Sequence, residues 1–255
     1  MNPLSRIFCG VSLALVAFGA SAADLTRDEV QAALAAGRAG QAASFAGRSL
    51  AGLDLQDLDF SGVDLSGTDL SDADLRGTKL VAAKLVGAKL PRARLNFAWI
   101  MRADFSHADL SGAVLQTLVV SAGMATLPSE AATFVGADLS GAKVTARFSL
   151  DDMRGANLSH LQAATDMRNQ SMGLIRADFS RAILEGASFE GAALNKVTFE
   201  YAKLKGAVFA GADLTDANFS GADLTDADLT GATTTGASFA GAALAGARGL
   251  AQPPR

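Results

Sequence analysis

The sequence predicts an all-β solenoid, a chain wound into stacked coils around an apolar axis. Three observations carry the prediction. Leucine or phenylalanine returns every fifth residue, as in Leu65, Leu70, Leu75, Leu80, Leu85, Leu90 and Leu95. A small residue stands two positions before it, as in Ala73, Ala83, Ala88, Ala93, Ala98, Ala103, Ala108 and Ala113. Turn residues follow it, as in Ser66-Gly67 and Thr215-Asp216.

A period of five fits neither regular element. On a helix, residues five apart diverge by about 140°, so no apolar face forms. On a flat strand an odd period sends successive leucines to opposite faces. The conflict vanishes if the chain turns a corner once per repeat. Each leucine then points at a shared axis, the alanine two before it points inward too, and the residue between them points outward. That outward residue is mostly Asp, Lys, Ser or Thr, as in Asp64, Asp69, Asp74 and Lys79. Glycine after it tolerates backbone angles that a branched residue would not.

The motif read in Ala73-Asp74-Leu75, Ala137-Asp138-Leu139-Ser140-Gly141 and Ala212-Asp213-Leu214-Thr215-Asp216 resembles the pentapeptide repeat family over most of the chain. The resemblance implies a right-handed quadrilateral parallel β-helix with four repeats per coil and the leucine or phenylalanine stacked inside. Residues twenty apart then stack at about 4.8 Å, giving a rod on the order of 50 Å long. Phe179, Phe199, Phe219 and Phe239 fall on one face, and Phe189 and Phe209 on the opposite one.

The elements follow in order. Residues 1–23 read as a secretory signal peptide: Arg6, an apolar stretch from Ile7 to Phe18, then Gly19-Ala20-Ser21-Ala22-Ala23, with cleavage after Ala22 or Ala23. The apolar run is too short to span a bilayer, so no membrane insertion is expected after its removal. This places the protein outside the cytoplasm, in a bacterial periplasm or secreted. Cys9, the one cysteine, lies inside this segment, and the remaining chain has no thiol chemistry.

Residues 24–44 hold an N-terminal capping helix and linker. Thr26-Arg27-Asp28-Glu29 is a capping box, followed by Val30, Ala33 and Leu34 on one face and an end near Gly37. The helix covers one open end of the solenoid. The repeat occupies residues 45–249, irregular at 116–133 and 163–173, and 250–255 form a tail with Pro253-Pro254.

Composition excludes several functions. A formal net charge of −4 argues against a nucleic-acid partner. His107 and His160 have no spaced Cys or His partners, so no metal is expected. No GxSxG, HExxH or phosphate-loop pattern occurs, so no enzyme and no cofactor are expected. Asn157, Asn169 and Asn218 head glycosylation-like triplets that the repeat itself generates.

Two outward features remain. Lys79, Lys84, Lys89 and Arg94 form a basic collar around one coil, and stacking places acids such as Asp59, Asp64, Asp69, Asp74, Asp104 and Asp109 one coil away. Lys196 with Asp216, Lys203 with Asp223 and Arg248 near Asp228 repeat that pairing. Phe97, Trp99 and Met101 alternate with inward Ala98 and Ile100 and are expected to face solvent beside Arg102. The patch is either a protein contact or is covered by the irregular segment that follows. The expectation is a non-enzymatic scaffold for protein-protein interaction, its partner unidentified or a second copy joined as a homodimer through the C-terminal end. The alternatives are a purely structural rod, or an acidic DNA mimic acting on an enzyme such as gyrase, which the resemblance implies for some family members.

Overall fold

The computed structural model describes residues 23–38, 43–121, 126–164 and 176–250. They form a right-handed quadrilateral parallel β-helix. The expected signal peptide and Cys9 lie outside the described residues, as do Asn169 and Pro253-Pro254. Ala22 is outside them and Ala23 is the first within them.

Each repeat satisfies its own backbone. The amide of the inward leucine donates to a carbonyl one coil up, as Leu50 N does to Asp69 O at 2.7 Å. The amide of the outward residue donates one coil down, as Asp69 N does to Arg48 O at 2.9 Å. The corner amide also donates upward, Gly47 N to Ser66 O at 2.9 Å. The inward alanine closes the turn, Ala73 N to Leu70 O at 3.1 Å. One amide per repeat is left, and the outward Asp side chain takes it: Ser66 N donates to Asp64 Oδ1 at 3.0 Å, with the same bond at Asp69, Asp104, Asp109, Asp138 and Asp213. The repeat therefore selects Asp or Asn for a local Asx turn. After Lys89, which has no such acceptor, Pro91 stands where the amide would be.

Four outward columns define four faces. The first runs Ser44, Asp64, Lys84, Asp104, Thr133, Asp152, Ile183, Lys203, Asp223, Ala243. The second starts at Ser49, the third at Asp54 and the fourth at Asp59. Partners are twenty apart until Trp99↔Val119. Asp104↔Thr133 then skips 29, so nine extra residues leave the corner after Val120. Register therefore survives five residues beyond Leu115, because Leu118 and Val120 remain buried, and the first irregularity is shorter than the sequence suggests. A 3-10 helix, Pro128–Glu130, lies in this insert.

Strands β1 (Val114–Gln116) and β2 (Lys143–Thr145) pair across the next step. Thr133↔Asp152 spans only 19, because inward Val144 and Phe148 are four apart. Arg147↔Asp178 spans 31, the extra eleven residues following Ala163. The expected second irregularity falls almost wholly on residues outside the described ones.

The core is one continuous apolar column. Phe179, Phe199, Phe219 and Phe239 stack with centroids 4.9–5.2 Å apart, and Phe189 stacks on Phe209 at 4.9 Å. The two stacks meet edge to face across the axis, as Phe189 does with Phe199 at 5.5 Å. Helix α1, Arg27–Arg38, closes the N-terminal end with Val30 and Leu34 buried. Thr26 and Glu29 form the reciprocal cap: Thr26 N donates to Glu29 Oε2 at 2.7 Å, and Glu29 N to Thr26 Oγ1 at 3.3 Å. Asp24 staples the segment to the first coil, its amide donating to Ser49 O at 2.7 Å and its carboxylate accepting from Ser49 N at 2.8 Å. Hydrogen bonds from Ser49 and Arg48 hold that carboxyl below its usual value. At the other end Ala242, Leu244, Ala247 and Leu250 are only partly buried.

Candidate functional site

The fourth face carries the exposed aromatics. Trp99 occupies an outward position with Lys79 beneath it and Val119 above. Its backbone is fixed in both directions, Trp99 N donating to Thr78 O and Leu80 N to Trp99 O. The residue is 37% exposed, with Lys79 Nζ 5.9 Å from the ring centroid, the outer edge of a cation–π contact. Phe97 sits on the preceding corner with φ +62° and is 57% exposed. That conformation costs a bulky L-residue about 1–2 kcal/mol, and glycine fills most other corners. Fourteen other non-glycine residues among those described, Tyr201 included, adopt the same positive φ, so what distinguishes Phe97 is its exposed aromatic neighbour Trp99.

Met101 does not belong to the patch. It is 7% exposed, which corrects its expected outward placement. Its carbonyl accepts from Ala82 N below, and the insert lies over the adjacent corner, where Arg102 N donates to Glu130 O at 2.9 Å. The Arg102 side chain remains exposed. Glu130 organises the insert, its carboxylate accepting from Ser121 Oγ at 2.9 Å and Leu127 N at 3.1 Å. Leu127 is 56% exposed beside it. The insert thus covers Met101 and leaves Phe97 and Trp99 in the open.

The basic collar stacks as the repeat requires, Lys79 on Asp59, Lys84 between Asp64 and Asp104, and Lys89 between Asp69 and Asp109. The close ion pairs, however, are made by arginines: Arg94–Asp74 at 3.5 Å, Arg92–Asp72 at 2.6 Å and Arg248–Asp228 at 3.1 Å. Burial pushes the Asp74 carboxyl up, but Arg76 and Arg94 outweigh it and its value falls. Asp64 is lowered mainly by the Ser66 hydroxyl and amide, with Lys84 a smaller cause. The carboxylates serve the turn first and the neighbouring coil second.

Sequence reasoning missed Asp151. It occupies an inward alanine position and is 1% exposed. Its Oδ1 accepts from Ala132 N at 2.8 Å, while Oδ2 has no hydrogen-bond partner among the described residues. Ala132 is the first inward residue after the insert, so the usual turn carbonyl is not there to receive its amide, and Asp151 supplies the acceptor. Burial pushes this carboxyl up to about 8, against the opposing pull of the Ala132 amide. The signal was present in the sequence as an acid where the pattern demands alanine.

The histidines sit apart, the His107 ring over Gly136 and the His160 ring over Gly191. A Cβ on Gly136 would lie 2.7 Å from His107 Nδ1, so glycine is needed there for space as well as for φ. No metal-binding cluster of His, Cys, Asp or Glu occurs among the described residues. An open groove of about 360 Å³ beside Tyr201 brings together Arg147, Asp178, Arg181 and Glu200, charges of both signs, with Ser149 and Ser180 among them.

A four-faced coil with a filled axis that admits one acid among the described residues, Asp151, and with exposed aromatic corners at Phe97 and Tyr201, defines a β-solenoid. The chain belongs to the pentapeptide repeat family: the pentapeptide repeats model matches in eight copies over residues 41–77, 78–116, 174–211, 194–231 and 222–248. Similar solved structures include HetL, a pentapeptide repeat protein involved in heterocyst differentiation regulation from the cyanobacterium Nostoc sp. strain PCC 7120. It is 28% identical over 88% of this chain and 94% of that one, TM-score 0.37. QnrB1, a plasmid-mediated fluoroquinolone resistance protein, is 22% identical over 76% and 87%, TM-score 0.38. Rfr23 from the cyanobacterium Cyanothece 51142 is 24% identical over 56% and 85%, TM-score 0.34. No curated protein matches the chain.

Proposed function

We propose that this chain is an exported, non-enzymatic scaffold that holds a fixed outer surface for another protein. The observation that carries the reading is the pair of exposed aromatics Phe97 and Trp99, side by side on a rod whose interior is filled by its own side chains. Trp99→Ala separates this from a purely structural rod. A docking surface loses binding with melting nearly unchanged, whereas a structural role lowers the melting temperature and moves no binding signal.

Export rests on the Arg6 to Ala23 pattern. Cleavage after Ala23 leaves an amine at Asp24 that still reaches the Ser49 carbonyl. N-terminal sequencing of the periplasmic chain tests it, and a chain retaining Met1 in the cytoplasm overturns it. No helix among the described residues is long and apolar enough to cross a membrane.

A second reading, self-association through the C-terminal end, has its own support. The final coil leaves Leu244 partly exposed, and the amides of Phe239 and Leu244 have no ladder partner among the described residues. Sedimentation equilibrium showing a monomer at all accessible concentrations overturns it. The gyrase-mimic alternative is disfavoured, because Lys79, Lys84, Lys89 and Arg94 interrupt the acid columns on all four faces.

A further inference from the structure

Stacking sorts charges that come in runs along the chain, Asp54 to Asp74 and then Lys79 to Arg94. The third-face column runs Arg94, Val114, Lys143, and the fourth-face column carries Trp99 and Val119, with Arg102 at the corner beyond. Among the described residues, neither face carries an acid between Asp74 and Asp178. Glu130, at the neighbouring corner, spends its carboxylate on Ser121 and Leu127. The acids of the same coils, Asp104, Asp109 and Asp138, stand on the first and second faces. Arg102 and Lys143 are exposed and make no ion pair among the described residues.

We propose that the two faces meeting at Phe97 dock an acidic segment of a partner protein that also carries an apolar side chain; this rests on the protein-contact reading above. Phe97 and Trp99 supply the apolar anchor, and Arg102 and Lys143 flank it with unpaired positive charge. The charges select and orient the partner and the aromatics hold it, because rim ion pairs alone contribute little. Three coils span about 14 Å at the strand spacing, enough for a short segment and too little to neutralise a tract of phosphates.

Panning a phage-displayed library of random peptides on the full-length chain, then titrating the selected peptides, tests this. The expected peptides are enriched in Asp and Glu around an aromatic or aliphatic residue, and their binding weakens with salt. Trp99→Ala weakens it roughly thirtyfold. The double change R102E/K143E weakens it roughly tenfold and removes the salt dependence. Lys203→Gln, on the first face, leaves it unchanged, and Trp99→Ala and R102E/K143E melt as the parent does. Acid-free peptides whose binding still needs Trp99 overturn the acidic partner and leave the contact reading standing. A correctly folded chain that selects no peptide overturns both. Binding to phosphatidylglycerol vesicles without peptide binding, or self-association abolished by R102E/K143E, overturns the proposal in favour of a membrane or a second copy.

Discussion

Asp151→Asn isolates the one buried acid among the described residues. In the folded protein this carboxyl titrates near 8, whereas the unfolded chain carries it at the ordinary value of 3.8. Between those two values the unfolded state has lost a proton that the folded state keeps. Stability from this group is therefore complete below pH 3.8 and falls by about 1.4 kcal/mol per pH unit as the pH rises, until the folded carboxyl ionises. Asparagine keeps an oxygen for the Ala132 amide and cannot ionise. Its amide donors take the site of the unpartnered Oδ2, a roughly constant cost of about 1–3 kcal/mol. Against wild type, the variant should be less stable near pH 4 and gain steadily, with a total swing of about 5 kcal/mol by pH 8. Urea denaturation at a series of pH values measures the difference, in which the other carboxylates cancel. A difference that stays flat across this range refutes the reasoning, because Asp151 would then be ionised in the fold.

Phe97→Gly should raise the unfolding free energy by about 1 kcal/mol by relieving the positive φ, read from the melting temperature, while weakening any docked partner. Asp64→Ala should cost about 1 kcal/mol and Asp64→Asn much less, since asparagine still accepts from Ser66 N; denaturant midpoints compare the two. Because Asp64 and Asp223 are held below their usual values, their contribution is present above the ordinary carboxylate range and is lost as pH falls through the lowered values. Phe199→Ala, in contact with Phe179, Phe189, Phe209 and Phe219, should cost about 3–5 kcal/mol, and Phe239→Ala at the open end clearly less, by the same measurement.

The fold was legible because one side chain per five residues, from Phe45 to Phe239, has only one way to reach a common axis. The capping box at Thr26 and Glu29 was equally local and equally readable. The candidate site was legible in part. Phe97 and Trp99 follow from position in the repeat, but Met101 does not, since its cover is the insert reaching Arg102 from beyond the next repeat. Asp151 escaped for the same reason, because its partner Ala132 is 19 residues away across a break in register.

Sequence alone thus determined the coil, its apolar axis and the order of outward residues, since each depends on chemistry within five residues, and the family resemblance supplied the four faces. Only the tertiary structure decided what those outward residues do. It assigned outward aspartates such as Asp64 and Asp213 to turn amides, and it lodged an acid in the core where an insert left an amide without its carbonyl. It also gathered Arg94, Arg102 and Lys143 around two aromatics, while the neighbouring acids turned to the other side. The physical reason is that an insertion changes which residues stack without changing the local pattern that any five residues display.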